Sequence, residues 1–346
     1  MIKVVVSILL LSVVFLQAED NSVNIKMPKV PEVPKVEAVV PKVTVDNSAN
    51  TQTNEEIVAE AMKTKKVYFS DRVAPFMIHE DEHIKKDTNK IVEVGDLENG
   101  RVAAYLHAPL MEVKTVEEAL KSAGFNVLST YKVDKKGTVT SLVFTNAAIQ
   151  EGAAKLNRGF ASALRVTVDK KNKLVSISNP IYMMKAFMQE EYDSALAEAT
   201  LKSIRESFKE LKASPEVIKF RVLERFKFME GMPTYNDMIL VKKAKNATLL
   251  KKAKKSKKIV YMQELKNGSV VLGLKLGKRT SRFIKKTGYQ NAGLLPYPIL
   301  IENGEAKMLD PKYYIAIMYP MLKMSQFMKI ATVPGAIAKD IDKVFR

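Results

Sequence analysis

Leu294-Leu295-Pro296-Tyr297-Pro298-Ile299-Leu300-Ile301-Glu302-Asn303-Gly304-Glu305-Ala306-Lys307-Met308-Leu309-Asp310-Pro311 decides the fold. An apolar run ends at Glu302-Asn303-Gly304, a turn signal, and a second short strand follows, so the stretch predicts a β-hairpin. Asp310-Pro311 then opens a helix: Asp at N-cap accepts free backbone N–H groups, and Pro suits the first helical position.

The same grammar occurs earlier. Leu164, Asn172 and Pro180 lie 131 residues before Leu295, Asn303 and Pro311, and Gly137 lies 131 before Gly268. Each stretch reads as a helix (Thr115–Ala123; Asn246–Ser256), a strand (Phe125–Val133; Ile259–Leu265) and a charged Gly turn. A second strand, a small-residue or basic helix, the hairpin and an amphipathic helix opened by Asn-Pro or Asp-Pro follow. The expectation is an α+β protein with two tandem antiparallel-sheet domains backed by helices, in pseudo-two-fold arrangement. The first copy covers 67–212, a connector 213–231, and the second copy 232–346. The helix opened by Pro180 is expected to run to about Lys212 as one amphipathic element, with Met184, Phe187, Met188, Tyr192, Leu196, Ala199, Ile204 and Phe208 at helical spacing.

These elements resemble the bacterial family known as Domain of Unknown Function 302, chiefly through residues 294–311, and through Val113–Gly124 and Leu164–Met188 in the first copy. The resemblance implies an α+β fold whose units pack as pairs, here within one chain. It implies no reaction and no catalytic residues.

The N-terminus reads as a targeting segment. Lys3 precedes an apolar run from Val4 to Leu16, and Leu16 and Ala18 fit a cleavage site. The run is shorter than the roughly 20 residues a membrane-spanning helix requires, so residues 1–18 read as a cleaved signal peptide, giving a mature chain without a transmembrane span and a periplasmic location. Residues 19–66 read as a Pro-rich tether and polar linker, with Pro28, Pro31 and Pro34 favouring an extended spacer.

The chain has 346 residues, no Cys and a formal net charge of +18. Disulfides, thiolate metal sites and thiol catalysis are excluded. The charge is concentrated: residues 232–346 hold 23 basic and 7 acidic side chains. Lys251, Lys254, Lys255 and Lys258 form one cluster, and Lys278, Arg279, Arg282 and Lys286 another. Such a field attracts anions. No aromatics interleave the lysines of the first cluster and Phe283 alone falls within the second, too few to stack on bases, so the expected partner is an anionic envelope component or acidic protein, not nucleic acid.

Other constellations are weaker. His79-Glu80-Asp81-Glu82-His83 fits the H-E-x-x-H spacing of zinc sites, but acidic residues fill its interior. Met321, Met324 and Met328, following Met318, recur at helical spacing and form a candidate Cu(I) set, against the commoner role of core filler. Tyr297, Tyr313 and Tyr314 are candidates for lining a pocket between copies. No cofactor is implied. Two readings stand: an exported interaction protein with a basic face, and a periplasmic metal-handling protein (Zn or Cu) or enzyme working between the copies.

Overall fold

A computed structural model of the chain describes residues 92–346, which all lie in one compact unit. The expected signal peptide, the tether and the His79–His83 segment lie outside the described residues. The fold is α+β: antiparallel sheets backed by helices.

In the first half, the strands are β1 (Arg101–Ala103), β2 (Tyr105–Pro109), β3 (Asn126–Lys132), β4 (Val139–Thr145), β5 (Leu164–Asp169) and β6 (Leu174–Ser178). The helices are α1 (Val113–Ser122), α2 (Ala147–Gly152), α3 (Pro180–Met188) and α4 (Ser194–Ser207). Two short strands follow, β7 (Lys212–Ala213) and β8 (Val217–Lys219). The second half contains β9 (Ile239–Lys243), α5 (Asn246–Lys255), β10 (Ile259–Glu264), β11 (Val270–Leu274), α6 (Ile284–Thr287), β12 (Tyr297–Glu302), β13 (Glu305–Met308), α7 (Pro311–Met318), α8 (Met324–Met328) and α9 (Val333–Phe345).

The first sheet runs β3-β4-β5-β6-β2-β7 and the second runs β10-β11-β12-β13-β9. Apart from β7, elements at corresponding places in the two halves occupy the same place in their sheets. Positive-φ residues close the matching turns: Gly137 and Gly268, then Lys173 against Asn303-Gly304. Asn179 and Asp310 cap α3 and α7 as expected, accepting from Ile181 N (3.1 Å) and Lys312 N (2.7 Å). Asn179 also donates to the carbonyls of Gly95 and Ala103.

Two sequence expectations are corrected. The long helix after Pro180 is two helices, broken where Gln189 takes φ 58° and restarted by Asp193, whose side chain caps α4 through Leu196 N. The helices opened by Pro180 and Pro311 are not amphipathic; nearly every residue of α3 and α7 is buried, as expected for a helix that is apolar all round. The segment 213–231, read as a connector, carries β8, which pairs with β1, and begins within β7, which extends the first sheet beside β2.

Each half covers the other. A short turn at Gly159–Ala161 packs on the second sheet so closely that a Cβ on Gly159 would stand 2.6 Å from Leu300 Cδ1 and 3.1 Å from Val271 Cγ2. In return, the turn at Tyr289–Leu294 lies on the first sheet, where a Cβ on Gly293 would stand 3.3 Å from Thr167 Oγ1 and 3.8 Å from Arg165 Cβ. Polar links reinforce the contact: Ser141 donates to Leu295 O (2.6 Å), Ser162 donates to Gln263 (3.0 Å), and Asn157 N donates to Glu302 (3.0 Å).

Candidate functional site

Because strand side chains alternate between faces, the side of the first sheet under residues 289–295 can be read from register. One residue from each strand forms a row across it: Lys212, His107, Ser176, Thr167, Ser141 and Tyr131. A neighbouring row holds Tyr105 opposite Ser178, and Arg165 opposite Val143. The opposite face carries Leu106, Leu142, Val166, Val168 and Ile177, backed by Val116 and Leu120 of α1 and by Leu201 of α4. The first sheet therefore has an apolar face toward its helices and a polar face toward the other half, and both are buried.

Burying polar groups is unfavourable unless they are hydrogen-bonded. Several here have no hydrogen-bond partner among the described residues: His107 Nε2, Ser176 Oγ, Ser214 Oγ, Glu216 Oε2, Arg165 Nε, Tyr261 OH and Asn291 Oδ1. Burial lowers the His107 pKa, with the Glu216 carboxylate pulling the other way. Burial also lowers that of Arg165, but the surrounding phenols of Tyr314, Tyr261 and Tyr105 more than compensate and keep the guanidinium charged. The sequence shows alternation in Arg165-Val166-Thr167-Val168-Asp169, but alternation alone reads as a solvent-facing side.

The expected pocket tyrosines are central but enclosed. Tyr297 donates to Leu309 O (2.8 Å), Tyr314 to Leu294 O (3.2 Å) and Tyr313 across to Ala186 O of α3 (3.4 Å). Burial holds the hydroxyls of Tyr297 and Tyr313 well above the ordinary phenol value and pushes Tyr314 up to about 12, so all three remain protonated donors. Tyr182 of α3 makes the opposite crossing, to Ile317 O (2.7 Å).

The methionine series is divided rather than continuous. α7 ends at Met318, which is buried, and Met321 lies in the following turn; Met324 begins α8 and Met328 ends it. Met321 and Met328 are exposed and Met324 half-buried, so the four do not form one helical stripe. Among the described residues no group of three or more His, Asp or Glu stands ready to hold a metal ion.

The two basic clusters are brought together by α9. Helix α5 and the turn at Thr280–Phe283 both pack against α9, and Asp340 of α9 joins them. Its carboxylate accepts from Gly277 N (2.7 Å) and Thr280 Oγ1 (2.8 Å) and pairs with Lys258 (3.5 Å). Burial raises the Asp340 pKa, but these hydrogen bonds and the charges of Lys258 and Lys343 outweigh it and leave the group below its usual value. Lys251, Lys254, Lys255, Lys278, Arg279 and Arg282 are exposed as expected. Two members of the predicted set are engaged within the chain: half-buried Lys258 with Asp340, and Lys286, itself exposed, with the Lys329 carbonyl (2.9 Å). The sequence reading missed Lys339 and Lys343, which α9 exposes on either side of Asp340 in sequence; their spacing of four in a helical C-terminus was the available signal.

Among the described residues, no helix is long and apolar enough to cross a membrane. Comparison with family models, curated proteins and solved structures finds no match to the chain.

Proposed function

We propose that the chain is an exported interaction protein whose second half presents a basic face to an anionic partner of the cell envelope or to an acidic protein. The observation that carries the reading is the Asp340 junction. It ties two clusters, some twenty residues apart in sequence, to one helix and leaves seven of their eight predicted cations exposed. Clustered fixed cations attract polyanions strongly at low salt and weakly at high salt. The N-terminal segment that reads as an export signal supports a periplasmic setting.

We read the two halves as copies of one unit, related by a pseudo-two-fold and similar to the Domain of Unknown Function 302 fold. The common strand order, the matched Asn-Pro and Asp-Pro helix openings and the reciprocal coverage support this. The first copy then serves as the packing partner of the second.

Co-sedimentation of the protein with anionic liposomes and with cell-wall material, from about 50 to about 300 mM salt, tests the function. Binding falls steeply with salt and is lost when Lys251, Lys254, Arg279 and Arg282 are changed together to Glu. Binding indifferent to salt, or no binding at all, overturns the reading.

A further inference from the structure

Arg165 occupies the middle of the first sheet's covered polar face, is 4% exposed, and has an Nε without a hydrogen-bond partner. Its electrostatic neighbours are phenols, those of Tyr314, Tyr261 and Tyr105, and no carboxylate pairs with it among the described residues. An enclosed charge without a counter-charge is strongly unfavourable. The first half alone carries it: the residue 131 positions on, which matches Arg165 in the second half, is Pro296.

The surroundings are organised around this charge. The Tyr261 ring lies against Gly273, where a Cβ would stand 2.1 Å from ring carbon. Its hydroxyl has no hydrogen-bond partner among the described residues. Tyr105 and Tyr314 already donate their protons, to Met318 O (2.7 Å) and Leu294 O, so Tyr261 is the free donor of the three.

We infer that Arg165 and Tyr261 form an internal site for a small monocarboxylate, enclosed between the two halves of the chain. A guanidinium presents parallel N–H groups matched to the two oxygens of a carboxylate, and the Tyr261 hydroxyl supplies a third donor. One fixed cation neutralises one negative charge; a phosphate dianion leaves a charge over in a buried site. Half-buried His107 and exposed Lys212, at the β7 end of the polar face, mark where it meets solvent. This site is separate from the basic face and does not depend on it.

Thermal unfolding of the full chain in increasing sodium acetate, with sodium chloride holding ionic strength constant, tests the site. The wild-type midpoint rises and saturates, as for a ligand bound only by the folded state. Arg165→Met abolishes the rise. Calorimetric titration with acetate shows Tyr261→Phe weakening the affinity several-fold, and this second variant decides the matter if Arg165→Met does not fold. A wild-type midpoint unmoved by acetate, an equal rise in Arg165→Met, or an unchanged affinity in Tyr261→Phe overturns the proposal. A saturable response to inorganic phosphate with none to acetate also overturns it.

Discussion

Tyr182 and Tyr313 each stand two residues after the proline that opens a helix, and each donates its hydroxyl to the carbonyl six residues past the other's proline. Tyr182 reaches Ile317 O at 2.7 Å, and Tyr313 reaches Ala186 O at 3.4 Å. Donors and acceptors are both separated by the 131 residues that separate the hairpins. The reciprocity holds α3 and α7 together at the centre of the molecule, and the difference in length makes it unequal in strength.

Tyr182→Phe removes the shorter bond and leaves a buried carbonyl short of a partner, a loss of about 1–2 kcal/mol. Tyr313→Phe removes a bond at the limit of useful geometry and costs less than about 1 kcal/mol. Urea unfolding of both variants checks this, and a larger loss for Tyr313→Phe contradicts it.

Gly159→Ala places a methyl against Leu300 and Val271 in the packed contact between the halves. Overpacking of this kind costs about 1–3 kcal/mol. Gly335 provides the opposite case: it lies in α9, and a Cβ there meets nothing within 4 Å. Gly335→Ala stabilises by about 0.4–1 kcal/mol through the unfolded chain's lost freedom. The two substitutions shift the urea midpoint in opposite directions; shifts in the same direction refute the packing assignment.

His107 is held below its ordinary pKa, chiefly by burial. Its unfolded form takes up protons at a higher pH than its folded form, so its contribution is present above the unfolded value of about 6.5 and is lost as pH falls through the folded one. Melting temperatures from pH 8 to about pH 5 should therefore fall more for the wild type than for His107→Asn. Parallel curves exclude this role.

Asp340 gives the same sign at lower pH. Its folded pKa is depressed, so its stabilisation is complete above the unfolded value, about 3.9, and disappears as pH falls through the lower folded value. The advantage of the wild type over Asp340→Asn, read from melting curves, narrows as pH drops from about 6 toward about 3. A gap of constant width shows that the carboxylate's charge contributes nothing to the junction.

The hairpins, the Gly turns and the Asn-Pro and Asp-Pro helix starts were legible because each uses a local device: a positive-φ turn residue or a side chain capping the first free N–H groups. The break at Gln189 was not, because Gln is an ordinary helix residue and its left-handed backbone is imposed by surrounding contacts. β7 and β8 are two and three residues long, too short to leave a period in the sequence. The basic clusters were legible as composition, but their meeting depends on Asp340, one acid far along the chain. What covers a strand face is decided by distant residues, here 289–295, and no local pattern encodes it.

The first half is made before residues 289–295. Were it to fold ahead of them, it would show water Arg165, Thr167, Ser176, Ser141 and His107 rather than an oily surface. The polar face, unfavourable once enclosed, would then be the side that water tolerates until its cover arrives.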